Sequence, residues 1–169
     1  ATATLYSTAT ANTYAIEYTL NGGTSGTNKP TSGTYDSLVT IDNPSRSGYP
    51  FKGWTASNLT TSTAVYGTTT SPSTTWDGTT KVTSKYFKNL RSTSGTVTLT
   101  ANWEYTLTIY YWDTTNSKIA STTATCIGAS SCSVTIPTAV RGSTGPYGNA
   151  YAGLRAGTGS ATATVLSTT

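Results

Sequence analysis

The chain has 169 residues, of which 9% are charged, with a formal net charge of +4 and a sequence pI near 9.1. It contains no His, Met or Gln, which rules out a Ser-His-Asp or Cys-His nucleophile system and removes the commonest metal ligand. About a quarter of it is Thr and 11% is aromatic. Such side chains pack well on pleated strands, in a chain too rich in rings and too poor in charge for disorder, so the expected class is mainly β.

Residues 1–13 read as a strand-like N-terminal segment. Ala and Thr alternate there around Leu5 and Tyr6, which makes this the candidate assembly strand. Its opening, "ATATLYST", is echoed by "ATATVLST" near the other end. "YAIEYTL" predicts a strand over 14–20, stopped by Asn21-Gly22-Gly23, residue types that accept positive φ. A Gly/Thr/Ser loop runs to Gly33, and "TYDSLVTI" is the next predicted strand, closed by the Asn43-Pro44 breaker. In "RSGYPFKGW", 46–54, Gly48 lets the chain turn, Tyr49 and Phe51 fall on one side of a strand, and Gly53 leaves room beside Trp54. Tyr49, Phe51, Trp54 and Trp103 form the candidate structural core.

Residues 55–80 are expected as a polar loop with Trp76 isolated inside it, and "KVTSKYFKNL" as a helical turn. "TVTLTANW", 96–103, alternates cleanly and runs on into "EYTLTIYYW" almost without a break. Cys126 and Cys132 lie in "TATCIGASSCSVTI", which reads as a hairpin whose strand ends are joined across the turn. Facing positions on adjacent strands bring Cβ atoms near disulfide distance. Two free thiols or half a metal site are the alternatives, and zinc lacks ligands here. Closing so short a loop stabilises by roughly 2–2.5 kcal/mol, and a disulfide implies an oxidising, extracellular setting. "AYAGLRA" and "SATATVL" are the last predicted strands.

The order "YAIEYTLNGG", then Pro44, Arg46, "GY", Phe51, "GW" and "TVTLTANW", resembles the Listeria–Bacteroides repeat, or internalin B-repeat, family. The matching residues are Tyr14, Ile16, Tyr18, Asn21, Gly22, Gly23, Pro44, Arg46, Gly48, Tyr49, Phe51, Gly53, Trp54, Val97, Leu99, Ala101 and Trp103. The resemblance covers about residues 14–103. It implies a compact β-grasp-like domain of the kind found in secreted or wall-anchored bacterial surface proteins, often adhesins. The stretch between Trp54 and Val97 is longer than is usual in that family, and residues 104–169 carry no second copy of the motif. The latter are expected as a smaller, disulfide-containing, all-β unit of sandwich-like type.

The expected function is therefore non-enzymatic: an extracellular structural module of a bacterial surface protein, as an adhesin stalk unit or a self-assembling filament subunit. No catalytic residue, metal ligand or cofactor is nominated. Neighbouring copies or flanking domains of the same surface protein are the expected partners, with a host or glycan ligand as a further one. Six Lys and four Arg are scattered along the chain, which gives nucleic-acid binding no support. No run of 18 apolar residues predicts a membrane span. The alternative is a secreted carbohydrate-binding module, in which Trp76, Trp112 and Tyr147 are the candidate ligand contacts.

Overall fold

The computed structural model describes residues 10–112, 118–128, 154–156 and 164–166. Its strands are β1 (Thr13–Thr19), β2 (Ser32–Thr34), β3 (Leu38–Thr40), β4 (Phe51–Ser57), β5 (Val65–Gly67), β6 (Thr74–Thr75), β7 (Tyr86–Lys88), β8 (Thr96–Trp112), β9 (Lys118–Ile127), β10 (Leu154–Ala156) and β11 (Thr164–Leu166). No helix occurs among the described residues, and the chain is mainly β. It divides into two compact units, Ala1–Trp103 and Glu104–Thr169.

In the first unit, period-2 patterning decides which face is buried. β1 lies between β2, antiparallel, and the first half of β8, parallel, while β4 covers the other edge of β8 in antiparallel register. Ile16 sits beside Val97, Tyr18 beside Leu99, Trp54 opposite Ala101 and Phe51 opposite Trp103. These pairs share the core face, and Val97, Leu99 and Ala101 are fully buried. A second sheet, in the order β3-β7-β5-β6, supplies Val39 and Phe87 to the same core, which Ile41, Ala64, Trp76, Val82 and Leu90 complete. Each fully buried Val, Leu, Ile or Phe among them contributes about 1.5–3 kcal/mol.

Glycines mark the places where rings and backbones come close. A Cβ on Gly33 would lie 2.5 Å from the Tyr14 ring that covers it across the β1–β2 ladder. A Cβ on Gly23 would run into the Trp103 indole, whose Nε1 donates to Leu20 O at 2.9 Å. Gly53 has φ +122 at a bulge in β4, and the backbone of Lys81 and Val82 passes 2.7 Å from where its Cβ would be. Trp54 and Val82 bond to each other there through both backbone N–H groups.

Two expectations for residues 55–91 fail. The expected polar loop contains β5 and β6, and the expected helical turn contains β7. Phe87 is fully buried between half-buried Tyr86 and Lys88, a strand pattern, and β7 is paired on both edges, to β3 and to β5. Ladder bonds and burial on both sides outweigh the weak local helix preference of Lys and Leu.

The turn after β6 is tied by Asp77. Its carboxylate accepts the backbone N–H of Thr80 at 2.7 Å, the Thr80 hydroxyl at 2.9 Å and the N–H of Thr79 at 2.8 Å. These bonds, the Thr80 N–H foremost, hold the carboxyl down to about 2. The folded value lies below the ordinary 3.8, so the stabilisation is full above 3.8 and is lost as pH falls towards about 2. The midpoint of thermal unfolding should therefore fall across that window, and Asp77→Asn should flatten the fall; an unchanged slope would show that this turn does not couple to stability.

In the second unit, the remainder of β8 pairs with β9 from Glu104↔Ile127 to Trp112↔Lys118, and with β10 at Ile109–Tyr111, while β10 pairs with β11. Ile109 and Cys126 are buried. Cys126 lies opposite Tyr105 near the end of β9, and no free cysteine occurs among the described residues. Cys132 lies outside them. Labelling of unreduced, denatured protein should find no thiol; two labelled thiols would overturn both the Cys126–Cys132 pairing and the extracellular setting inferred from it.

Candidate functional site

β2 and β3 are each the terminal strand of their sheet among the described strands, and the chain passes from one to the other through the Thr34–Ser37 turn. Between them opens a groove of about 490 Å³, lined by residues 27–30 on one flank and by 32–34 and 37–40 along the two strand edges. Tyr35 N donates to Asn12 O and Ile16 N to Thr31 O. By the alternation of an antiparallel ladder, Gly33 also turns its backbone towards β1, and Ser32 and Thr34 turn theirs away. On β3, Ile41 N donates to Lys85 O, so Val39 faces β7 while Leu38 and Thr40 face outward. Leu38 is 41% exposed at this edge, the largest apolar surface of the groove.

Both ends of the groove are clamped. At one end, Asp42 accepts from the Asn28 N–H at 3.0 Å and from its amide Nδ2 at 3.2 Å, while Asp42 N donates to Asn28 O. The Tyr18 hydroxyl donates to Pro30 O at 2.8 Å, and Lys29 lies over the Tyr18 ring. The Asn28 N–H and then the Lys85 ammonium, 3.1 Å away, hold the Asp42 carboxyl below its usual range; burial pushes the Tyr18 phenol up. At the other end, Asp36, in the left-handed region at φ 64, donates its N–H to Asn89 Oδ1 and pairs with Lys88 at 3.2 Å. The Lys88 ammonium, ahead of the Asn89 amide, lowers the Asp36 carboxyl. The groove is thus a preformed feature, and an extended segment laid in it meets outward-facing backbone donors and acceptors.

Compared with protein-family models, curated proteins and solved structures, the chain matches none. The B-repeat resemblance accordingly rests on its motif order alone.

The structure places the sequence-nominated residues unevenly. Trp54 and Trp103 are buried, at 1% and 3% exposed, and half-buried Phe51 stands between them, 5.4 and 5.5 Å from the two rings in edge-on geometry. Tyr49 is not core: it is 38% exposed, with the Arg46 guanidinium over its ring at 3.9 Å. β4 starts only at Phe51, after a turn in which Gly48 has φ +77, so the alternation that would bury Tyr49 has not begun. Trp76 is not available to a ligand: it is fully buried, its Nε1 donates to Thr80 O at 2.8 Å, and it packs on Phe87 and Tyr66.

Trp112 ends β8, with its backbone paired to Lys118. Its side chain, Tyr147 and the assembly-strand residues Leu5 and Tyr6 lie outside the described residues. Lys85 and Lys88 face Asp42 and Asp36, and Arg91 binds the backbone oxygens of Asn58 and Ser94, so these cations hold loops. Among the described residues no cluster of His, Cys, Asp or Glu fits a metal ion, and no helix is long and apolar enough to cross a membrane.

The groove residues were not nominated from the sequence. β2 reads "SGT" in a polar run with no apolar alternation to mark it. The legible signal is Gly33 itself, a glycine at strand-period spacing under a ring.

Proposed function

We propose that this chain is a non-enzymatic structural module of an extracellular bacterial surface protein, acting as a stalk unit or as a subunit of a surface filament. The observation that carries this reading is the groove between β2 and β3, where two outward-facing strand edges are held open by ion-paired and hydrogen-bonded turns. Globular proteins ordinarily cover, shorten or charge such edges, because an open edge pairs with another chain. Here the edges are short and tied at their turns, and they flank an exposed Leu rather than a row of charges. The B-repeat resemblance supports a surface setting, and a Cys126–Cys132 bridge would suit it.

The test is made on the native source. Surface proteolysis of intact cells should remove the protein, and negative-stain images of the released material should show fibres or stalks. A protease-protected, intracellular pool would overturn the reading. A glycan array tests the carbohydrate-binding alternative, which loses one of its three rings with the burial of Trp76.

A further inference from the structure

We propose that the β2 edge of this groove receives residues 1–9 of a neighbouring copy as an added strand, so that copies join head to tail. The inference rests on the surface-module reading and gives it a site and a mechanism.

The occupant is argued from the sequence and from where the segment leaves the fold. Residues 1–9, "ATATLYSTA", contain no charged side chain, no Pro and no Gly. Extended, they present Ala1, Ala3, Leu5, Ser7 and Ala9 on one face and Thr2, Thr4, Tyr6 and Thr8 on the other. One face carries small residues, three Ala and Ser7, around a single large apolar group, Leu5, and the groove offers a single large exposed apolar group, Leu38. The small residues on either side of Leu5 let the backbone approach the β2 edge, where the Ser32 N–H and C=O and the Thr34 N–H face outward, the Thr34 carbonyl accepting from Ser37 N. Nine residues extend about 30 Å, ample for a three-residue edge.

The segment's own unit is the less favourable acceptor. Residue 12 is fixed beside the Thr34–Ser37 turn: its carbonyl accepts from Tyr35 N and its amide donates to Ser92 O. A strand on the outer edge of β2 would stand two strand spacings, about 9.6 Å, from β1. To reach it in its own copy, the chain would have to double back around the end of β2, where the Thr34–Ser37 turn already stands, bonded to residue 12. A neighbour's segment meets neither constraint.

Two variants of the full chain separate donor from acceptor. Deleting residues 1–9 removes the donor. Leu38→Asp charges the acceptor; Ser32→Pro, which removes an outward N–H and no β1–β2 bond, is the second acceptor variant should Leu38→Asp fail to fold. Each variant alone should be monomeric by light scattering with an unchanged β-type circular dichroism spectrum. Mixed in equal amounts, they should form one-to-one dimers and nothing larger, since each pair has one donor and one open groove. The unaltered chain should give a ladder of oligomers. A monomeric unaltered chain, oligomers from the truncated chain alone, or a mixture that stays monomeric would each overturn strand exchange. None of these outcomes touches the surface-module reading, which stands or falls on proteolysis of intact cells.

Discussion

Trp54→Ala is expected to destabilise the first unit by about 3–5 kcal/mol, the cost of emptying a site filled by a buried large aromatic. Trp54 is 1% exposed and makes edge-on contacts with Tyr18 at 5.7 Å and Phe51 at 5.4 Å. Its backbone also bonds Val82 in both directions, so the side chain lies where β4 meets the chain leading to β7. Loss of the ring leaves a cavity beside Tyr18 and Phe51 in the shared core. Urea unfolding followed by circular dichroism and fluorescence measures the loss. Trp54→Phe is the control. Among the described residues the Trp54 indole N–H is buried without a hydrogen-bond partner, so Phe keeps much of the packing and removes an unsatisfied donor. Its loss should be clearly smaller than that of Ala. Unchanged stability in Trp54→Ala, together with a lost glycan interaction, would return "RSGYPFKGW" to the role of a binding platform.

What the sequence showed depends on how local the cause is. The strands in which Thr, Val, Leu and Tyr alternate are legible, because period 2 is written into them: β1 and β8 lie close to the predicted runs. Trp54 and Trp103 are legible as core for the same reason. The parallel pairing of β1 with β8 is not, since nothing near Ala15 names Thr96 as its neighbour. The short strands β2, β5, β6 and β7 are not legible either. Each has two or three residues, too few to show a period, and each exists through its partners. The groove inherits that difficulty on its β2 side, which read as loop; β3 lies inside the predicted "TYDSLVTI" strand, but the Thr34–Ser37 turn cuts that run into the ends of two different sheets. Tyr49 shows the opposite error: it follows the motif's spacing, but the turn at Gly48 leaves it two residues before the strand.

Trp76→Ala is expected to cost the first unit about 3–5 kcal/mol in packing, with on the order of 1 kcal/mol more from the hydrogen bond to Thr80 O. In the sequence, "SPSTTWDGTT" surrounds the ring with small polar residues, as an exposed loop would. In the fold those neighbours make a tight turn that wraps the ring rather than presenting it. Asp77 fixes Thr79 and Thr80, Trp76 Nε1 reaches Thr80 O, and Trp76 N donates to Ala64 O. Gly78, at φ +80, lets the turn close on β4, where its carbonyl accepts the Ala56 N–H at 2.7 Å. The ring lies 5.3 Å from Phe87 and 6.3 Å from Tyr66, so it joins β5, β6 and β7 into one sheet with a buried face. Truncation should therefore lower the urea midpoint and also speed amide exchange at Thr79 and Thr80 ahead of global unfolding, because the turn loses its anchor. Trp76→Phe should restore most of the packing and none of the bond to Thr80, leaving the local exchange fast while the midpoint recovers. A sugar-stacking ring would behave otherwise: Trp76→Ala would leave both stability and exchange unchanged and abolish glycan binding.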